Sequence, residues 1–482
     1  MRIITIAFTV LGITFSLSQT TIAASEHQWV PKYHFAPEKG WINDPNGLSY
    51  YKGYYHIFYQ YNPNDAVWGL MHWGHARSKD MLSWEHLPIA LAPSLPEDID
   101  GIFSGSAVNN DGNLSLIYTG VSGTHQVQCL ATSSDGEFFV KEGVVLRKDG
   151  DDADFRDPKA WYQNGSWYVI IGSKTTDNKG EALLFKSPNL HTWESQGVFA
   201  QADDKLGYMW ECPDVFMLGN KHILIVNPQG MQQDGYDYQN LYQTGYFVGT
   251  WVPGHKYKIE KEFREIDHGP DFYASQTFLA PDGRRIQIAW MAMWESVFPE
   301  AASGWSGMFT LPRELTLSSS GDLEVRPIRE IKDRRMGNPK KVTAFVVNNT
   351  YAIVDEGVYS KEIIIDFNLP DTTAEKFGLR IGDSAVSDAG VQVYVNYTES
   401  RLFLERYYPD YNIIASSRSV PINLNKTLSL DIFVDSSSIE VFVNDGQAVL
   451  SSRIYPNDDE RFLSLFSLSG LFIFSNYSSW DL

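Results

Sequence analysis

Five glycine-centred turns recur along the first two thirds of the chain, each followed by a run of strand-forming residues. They are YKG-YYHIFY at Gly53, NDG-NLSLIY at Gly112, QNG-SWYVII at Gly165, LGN-KHILIV at Gly219 and PDG-RRIQIAW at Gly283. By subtraction the intervals are 59, 53, 54 and 64 residues. A glycine turn ahead of an apolar β run marks a hairpin. A second marker keeps the same register: SKDMLSWE from Ser78, SSDGEFFV from Ser133 and SPNLHTWE from Ser187, spaced 55 and 54 residues apart, each with an aromatic at its seventh position. A β repeat of this length suits a blade of four strands. Five hairpins therefore predict a five-bladed β-propeller around a central channel, spanning residues 25–328.

Equivalent positions on radially arranged blades point to equivalent places. Asp44 lies nine residues before Gly53, Asp157 eight before Gly165 and Glu211 eight before Gly219, with Ser104 and Ser275 in the eight-before position of the other two repeats. Three carboxylates far apart in sequence should therefore meet at one mouth of the channel. Acids crowded in a partly desolvated funnel raise one another's pKa, which packing rarely requires and acid–base chemistry uses. The stretch W-I-N-D-P-N-G around Asp44 reads as a turn, since Asx-Pro and Asn-Gly are strong turn formers. On this reading the turn delivers Asp44 to the shared cavity.

The ligand class follows from charge and aromatic content. A formal charge of −20 argues against recognition of a phosphate backbone and hence against a nucleic-acid partner, while 14% aromatic residues suit a neutral polar ligand stacked on rings, such as a sugar. Cys129 and Cys212 are the only cysteines, so there is at most one disulfide and no Cys-based metal site, and both are expected to be unpaired. Residues 1–24 carry one early charge, Arg2, an apolar run and small residues at Ala23 and Ala24, the layout of a cleavable secretory signal. No later stretch could span a membrane, so a secreted, extracellular protein is expected. Asn-X-Ser/Thr sequons at Asn113, Asn164, Asn348, Asn396, Asn425 and Asn476 fit a glycoprotein on that route.

After L-P-R-E-L at 311–315, the charged segment R-P-I-R-E-I-K-D-R-R reads as a connector, with the linker at 329–340. From residue 341 to 482 alternating runs such as KEIIIDF, GVQVYV, SLDIFVD and SIEVFV predict a C-terminal β-sandwich. No catalytic set is recognisable there, so its expected role is structural, with a lectin-like accessory role as the alternative.

The motifs then carry a resemblance. WINDPNG around Asp44, FRDP around Asp157 and WECPD around Glu211 resemble the three signature motifs of glycoside hydrolase family 32, which comprises invertases, inulinases and levanases. FYQYNP from Phe58, FSGS from Phe103, DFYASQTF from Asp271 and IFVDSSSIEVFVNDG from Ile432 are similar to that family's pattern as well. The resemblance implies an all-β fold, a five-bladed propeller followed by a β-sandwich, and a retaining β-fructofuranosidase that needs no cofactor and no metal. Asp44 would be the nucleophile, Glu211 the general acid and base, and Asp157 the acid that stabilises the transition state. Arg156 would orient Asp157 and the substrate. Asn43, Gln60, Trp68, Phe103 and Ser104 would line the sugar site, with Tyr273 as a further binding residue.

Other residues invite chemistry that their context does not support. His72 and His75 have metal-like i, i+3 spacing without a recognisable third ligand, so packing and hydrogen bonding are expected. On a regular strand Cys212 would face away from Glu211, whereas Asp214 would share its face and could polarise it. The substrate is expected to be sucrose or a related fructo-oligosaccharide. Inulin or levan cleavage, fructosyl transfer and a non-catalytic sugar-binding propeller are the alternatives. Phosphorylated sucrose is disfavoured because no basic cluster near the motifs offers a phosphate seat.

Overall fold

The computed structural model describes residues 29–148, 150, 153–382, 389–456 and 461–482. The expected signal segment at 1–24 lies outside the described residues. Five four-stranded antiparallel sheets follow one another up to Pro327. Their first strands, Gly40–Tyr51, Gly101–Asn110, Phe155–Gln163, Met209–Leu218 and Tyr273–Leu279, each lie against the next, and the last lies against the first. This closed ring is the propeller. A two-residue strand, Trp305–Ser306, comes from the connection between the second and third strands of the fifth sheet and joins the first as an added strand, pairing in parallel with Gly40 and Trp41 and lacing the last blade to the first.

Both repeated markers have physical roles. At Lys52-Gly53, Asp111-Gly112 and Asn164-Gly165 both residues have positive φ. That is the turn geometry whose twist matches the two strands it joins. The serines Ser78, Ser133 and Ser187 each end the third strand of a blade. Their hydroxyls accept the backbone N–H three residues on, from Met81 at 2.9 Å, Gly136 at 2.8 Å and Leu190 at 2.9 Å. The acceptor two residues after each serine, Asp80, Asp135 or Asn189, binds the following N–H groups and completes the turn into the outer strand.

All five inner strands break their register with the second strand at the same level: between Ile42 and Pro45, Phe103 and Gly105, Arg156 and Lys159, Glu211 and Asp214, and Tyr273 and Gln276. Asp157, Cys212 and Ala274, within these breaks, have positive φ of 67°, 41° and 53°. A bulge of this kind bends the strand and re-aims its side chains. Left-handed geometry at non-glycine residues costs of order 1 kcal/mol each, a strain that clusters at functional sites. The W-I-N-D-P-N-G stretch is therefore not a free turn. It is an inner strand with two irregularities, and Gly47 is required at one of them because its φ is +55° and a Cβ there would come within 2.6 Å of the Phe58 ring.

The C-terminal part is a β-sandwich of a seven-stranded and a six-stranded sheet. Ile363, Ile365 and Phe367 of one sheet pack against Leu379, Val393 and Leu404 of the other. The connector is the 3₁₀ turn Arg329–Arg334. Met336–Lys341, most of it within the linker expected at 329–340, already pairs with the C-terminal strand Leu471–Asp481. The six sequon asparagines are exposed or half-buried.

Propeller and sandwich share buried charge. Arg313 binds Asp267 at 2.8 Å and Glu440 at 2.5 Å, while His34 lies between Asp435 at 2.8 Å and Glu440 at 2.7 Å. Burial alone would lower the His34 pKa, but its hydrogen bonds to the two carboxylates outweigh that and push it up to about 9. A raised histidine contributes stability in full below its unfolded value of about 6.5, and that contribution fades as pH climbs through about 9. The melting temperature is therefore expected to fall between pH 7 and pH 10, and His34→Gln to be less stable at pH 6 with a flatter profile. Thermal melts across that range check both.

Candidate active site

The inner-strand bulges bring Asp44, Asp157 and Glu211 onto one cavity of about 460 Å³ at a mouth of the channel. Asp44 is held from both sides. Ser104 Oγ donates to its Oδ2 at 2.6 Å, and Asn43 Nδ2 donates to its Oδ1 at 2.9 Å. The Asn43 carbonyl is in turn fixed by the Trp41 indole N–H at 2.9 Å. Burial pushes the Asp44 pKa up to about 6; the Ser104 hydrogen bond opposes this and the charge of Glu211 reinforces it.

Asp157 receives the Cys212 backbone N–H at 2.9 Å, and its own N–H donates to Thr119 Oγ1 at 3.0 Å. Burial pushes its pKa up to about 7, with the charges of Glu211 and Asp44 adding to the rise and Arg156 and the Cys212 N–H opposing it. Two carboxyls with raised proton affinity thus face a third across the cavity.

Glu211 is bound on both oxygens. Arg156 donates to Oε1 from Nε at 3.0 Å and Nη2 at 2.8 Å, and the Tyr273 hydroxyl lies 2.5 Å from Oε2. Arg156 was expected to orient Asp157; its guanidinium grips Glu211 instead, and its Nη1 reaches Asp154 at 3.0 Å and Gln126 at 3.2 Å. Tyr273, expected to bind sugar, is buried beneath Glu211 and does not line the cavity. A guanidinium only donates, whereas a phenol both donates and accepts, so a proton added to Glu211 has a natural place on Oε2.

Asn43, Gln60, Trp68, Phe103 and Ser104 all line the cavity. The Gln60 amide N–H is fixed on the Ile102 carbonyl at 2.9 Å, and Trp68 is 51% exposed, a ring free to cover a ligand. Ser275, equivalent to Ser104 by offset, is instead buried and bonded to Gln287 at 3.0 Å. Gln126, Asp154, Gln229, Tyr242 and Trp294 also form the wall and were not identified from sequence. Asp154 stood next to the FRDP motif; Gln126 and Gln229 lie at strand ends and Tyr242 and Trp294 on connecting loops, none of them within a motif.

The bulge at Glu211 overturns strand alternation. Cys212 does not face away: its Sγ lies 3.5 Å from Asp44 Oδ2 and 3.6 Å from Asp157 Oδ2. Burial, with the acids around it, raises its pKa well above normal, so it is a neutral thiol. Asp214 does not reach Glu211. It is buried between blades, where it accepts from the Thr277 N–H at 2.7 Å and pairs with Lys159 at 3.0 Å. Cys129 and Cys212 are both free. His75 bonds His56 at 2.9 Å and His72 bonds the Leu70 carbonyl at 3.0 Å, so the two rings do not share a centre.

Comparison with known proteins finds family matches over nearly the whole described chain. The Glycosyl hydrolases family 32 N-terminal domain matches residues 34–327 and the Glycosyl hydrolases family 32 C terminal domain matches 330–481. The chain is 45% identical to the sucrose-6-phosphate hydrolase of Escherichia coli, covering 94% of each, and 44% identical to raffinose invertase of Escherichia coli, covering 97% of this chain and 99% of that relative. A mutant of the Bombyx mori GH32 beta-fructofuranosidase BmSUC1 in complex with sucrose superposes with a TM-score of 0.80 at 36% identity, covering 94% of each chain.

Proposed function

Since the chain belongs to glycoside hydrolase family 32 and is a fructoside-hydrolysing enzyme, we propose that it cleaves the β-fructofuranosyl bond of sucrose and related fructosides with retention of configuration. The observation that carries this reading is the opening of Asp44 and Glu211 onto one sugar-sized cavity, with Asp157 lining the same cavity from a blade of its own. Retaining enzymes work with two carboxyls about 5 to 5.5 Å apart, one forming the covalent bond and one handling the proton.

In the first half-reaction the Asp44 carboxylate attacks the anomeric carbon, the glycosidic C–O bond breaks, and Glu211 Oε2 gives its proton to the leaving oxygen. Asp157 faces the ring where positive charge develops. In the second half-reaction Glu211 takes a proton from water, whose oxygen displaces Asp44 and frees fructose. Arg156 and Tyr273 hold Glu211 in place through both, the phenol exchanging donor and acceptor roles as the proton leaves and returns.

Neutral sucrose is favoured over its 6-phosphate by the charge of the wall. Among the described residues four acids line the cavity, Asp44, Asp154, Asp157 and Glu211, and the one cation there, Arg156, is already shared by Glu211 and Asp154. The second reading, a phosphorylated sucrose, is supported by the relative named sucrose-6-phosphate hydrolase. Fructose release from each substrate decides: a kcat/KM ratio above one for sucrose over sucrose 6-phosphate is expected. NMR of the first-formed fructose tests stereochemistry, with the β anomer expected. Products from inulin, levan and concentrated sucrose separate hydrolysis from transfer. Export rests on the signal-like residues 1–24 and is tested by fractionating the producing cells.

Asp44 must be ionised to attack, so kcat/KM is expected to rise as pH climbs through about 6. Ser104→Ala removes a hydrogen bond that favours the ionised form. The acid limb of the pH–rate profile should then move upward by about half a unit to one unit, with a loss of about tenfold or more in rate.

A further inference from the structure

The cavity has two kinds of wall. Its depth is built by the inner strands, while part of its rim comes from two loops, 230–244 carrying Tyr242 and 291–304 carrying Trp294. The first loop extends to the six-stranded sandwich sheet, and the second is linked to that sheet through Asp271. Tyr236 is held there by Glu399, by the Arg401 guanidinium 4.3 Å over its ring and by Phe403 at 5.9 Å, edge on. Arg418 donates to the Asn240 side chain at 2.9 Å and to the Gln239 carbonyl at 3.3 Å, two and three residues from Tyr242. The second loop is tied through Asp271, which accepts from Arg406 and from the Arg453 N–H at 2.7 Å and receives the Ser296 hydroxyl at 3.2 Å, two residues from Trp294.

We propose that the sandwich domain sets leaving-group specificity, its arginines Arg418, Arg401 and Arg406 acting as positioning residues that clamp the two rim loops. This rests on the reading of the site as a β-fructofuranosidase site: the fructosyl unit lies deep against the acids, so the leaving sugar meets the rim. The sandwich thereby acts through the rim, on the leaving half of the substrate. The Tyr242 ring also lies 5.7 Å from Tyr273, so the first loop backs the residue that holds Glu211.

The test compares Arg418→Ala with the wild type on sucrose and on β-D-fructofuranosyl fluoride, whose leaving atom is too small to reach the rim. Removing two hydrogen bonds from a charged donor is expected to lower kcat/KM for sucrose about tenfold, mainly through KM, with less than about a twofold change for the fluoride. Arg418→Lys, which keeps the charge but not the forked geometry, should fall between. Hydrogen exchange over residues 236–243 should quicken about tenfold in Arg418→Ala at an unchanged melting temperature. Equal losses on both substrates, no loss on either, or unchanged exchange would overturn the clamp. Failure of the wild type to cleave sucrose would instead overturn the substrate reading, and the exchange measurement would still judge the clamp.

Discussion

Asp44→Ala is expected to lower kcat on sucrose by about 10⁴-fold or more, because losing a covalent nucleophile leaves only binding and electrostatic stabilisation. Sucrose should still bind, since Asn43, Gln60, Trp68 and Phe103 remain in the wall. Removing this charge also relieves Asp157, whose raised pKa owes part of its rise to Asp44. Initial rates by glucose release and affinity by calorimetry check the two halves. A variant retaining a tenth of wild-type turnover would refute the nucleophile assignment.

Glu211→Gln should cost about 10³-fold on sucrose, within the range general acid catalysis supplies. The amide can keep its carbonyl on Arg156 and its NH₂ on the Tyr273 oxygen, so the shape of the site survives while its proton is lost. Fluoride leaves without a proton, so β-D-fructofuranosyl fluoride should lose far less in the first step. Equal losses on both substrates would contradict the role of Glu211 as the acid. Both variants should spare the fluoride, so the kinetic constants separate the acid from the rim clamp: Glu211→Gln should act on kcat, Arg418→Ala on KM.

Much of the architecture was legible because its signals are local. A glycine turn needs positive φ whatever surrounds it, and a serine closing a turn acts on N–H groups only a few residues away. Repeated at fixed spacing, these features were enough to infer circular sheets and hence the meeting of Asp44, Asp157 and Glu211. The fine assignments were not legible for the opposite reason. Strand alternation put Cys212 away from the acids and Asp214 beside Glu211, yet a bulge after Glu211 reversed both. Bulges depend on the neighbouring strand and leave little trace in one sequence.

By itself, then, the amino-acid order determined the repeat, the sandwich that follows it and the acids at equivalent positions, since each rests on short-range backbone preference and apolar patterning. Which partner each side chain takes was decided only in three dimensions. Arg156 chose Glu211 over its neighbour Asp157, Tyr273 went beneath Glu211 and not into the wall, and loop residues such as Tyr242 and Trp294 reached the rim through contacts with strands more than a hundred residues away. Hydrogen bonds and charges act over a few ångströms of space, and distance along the chain does not measure that space.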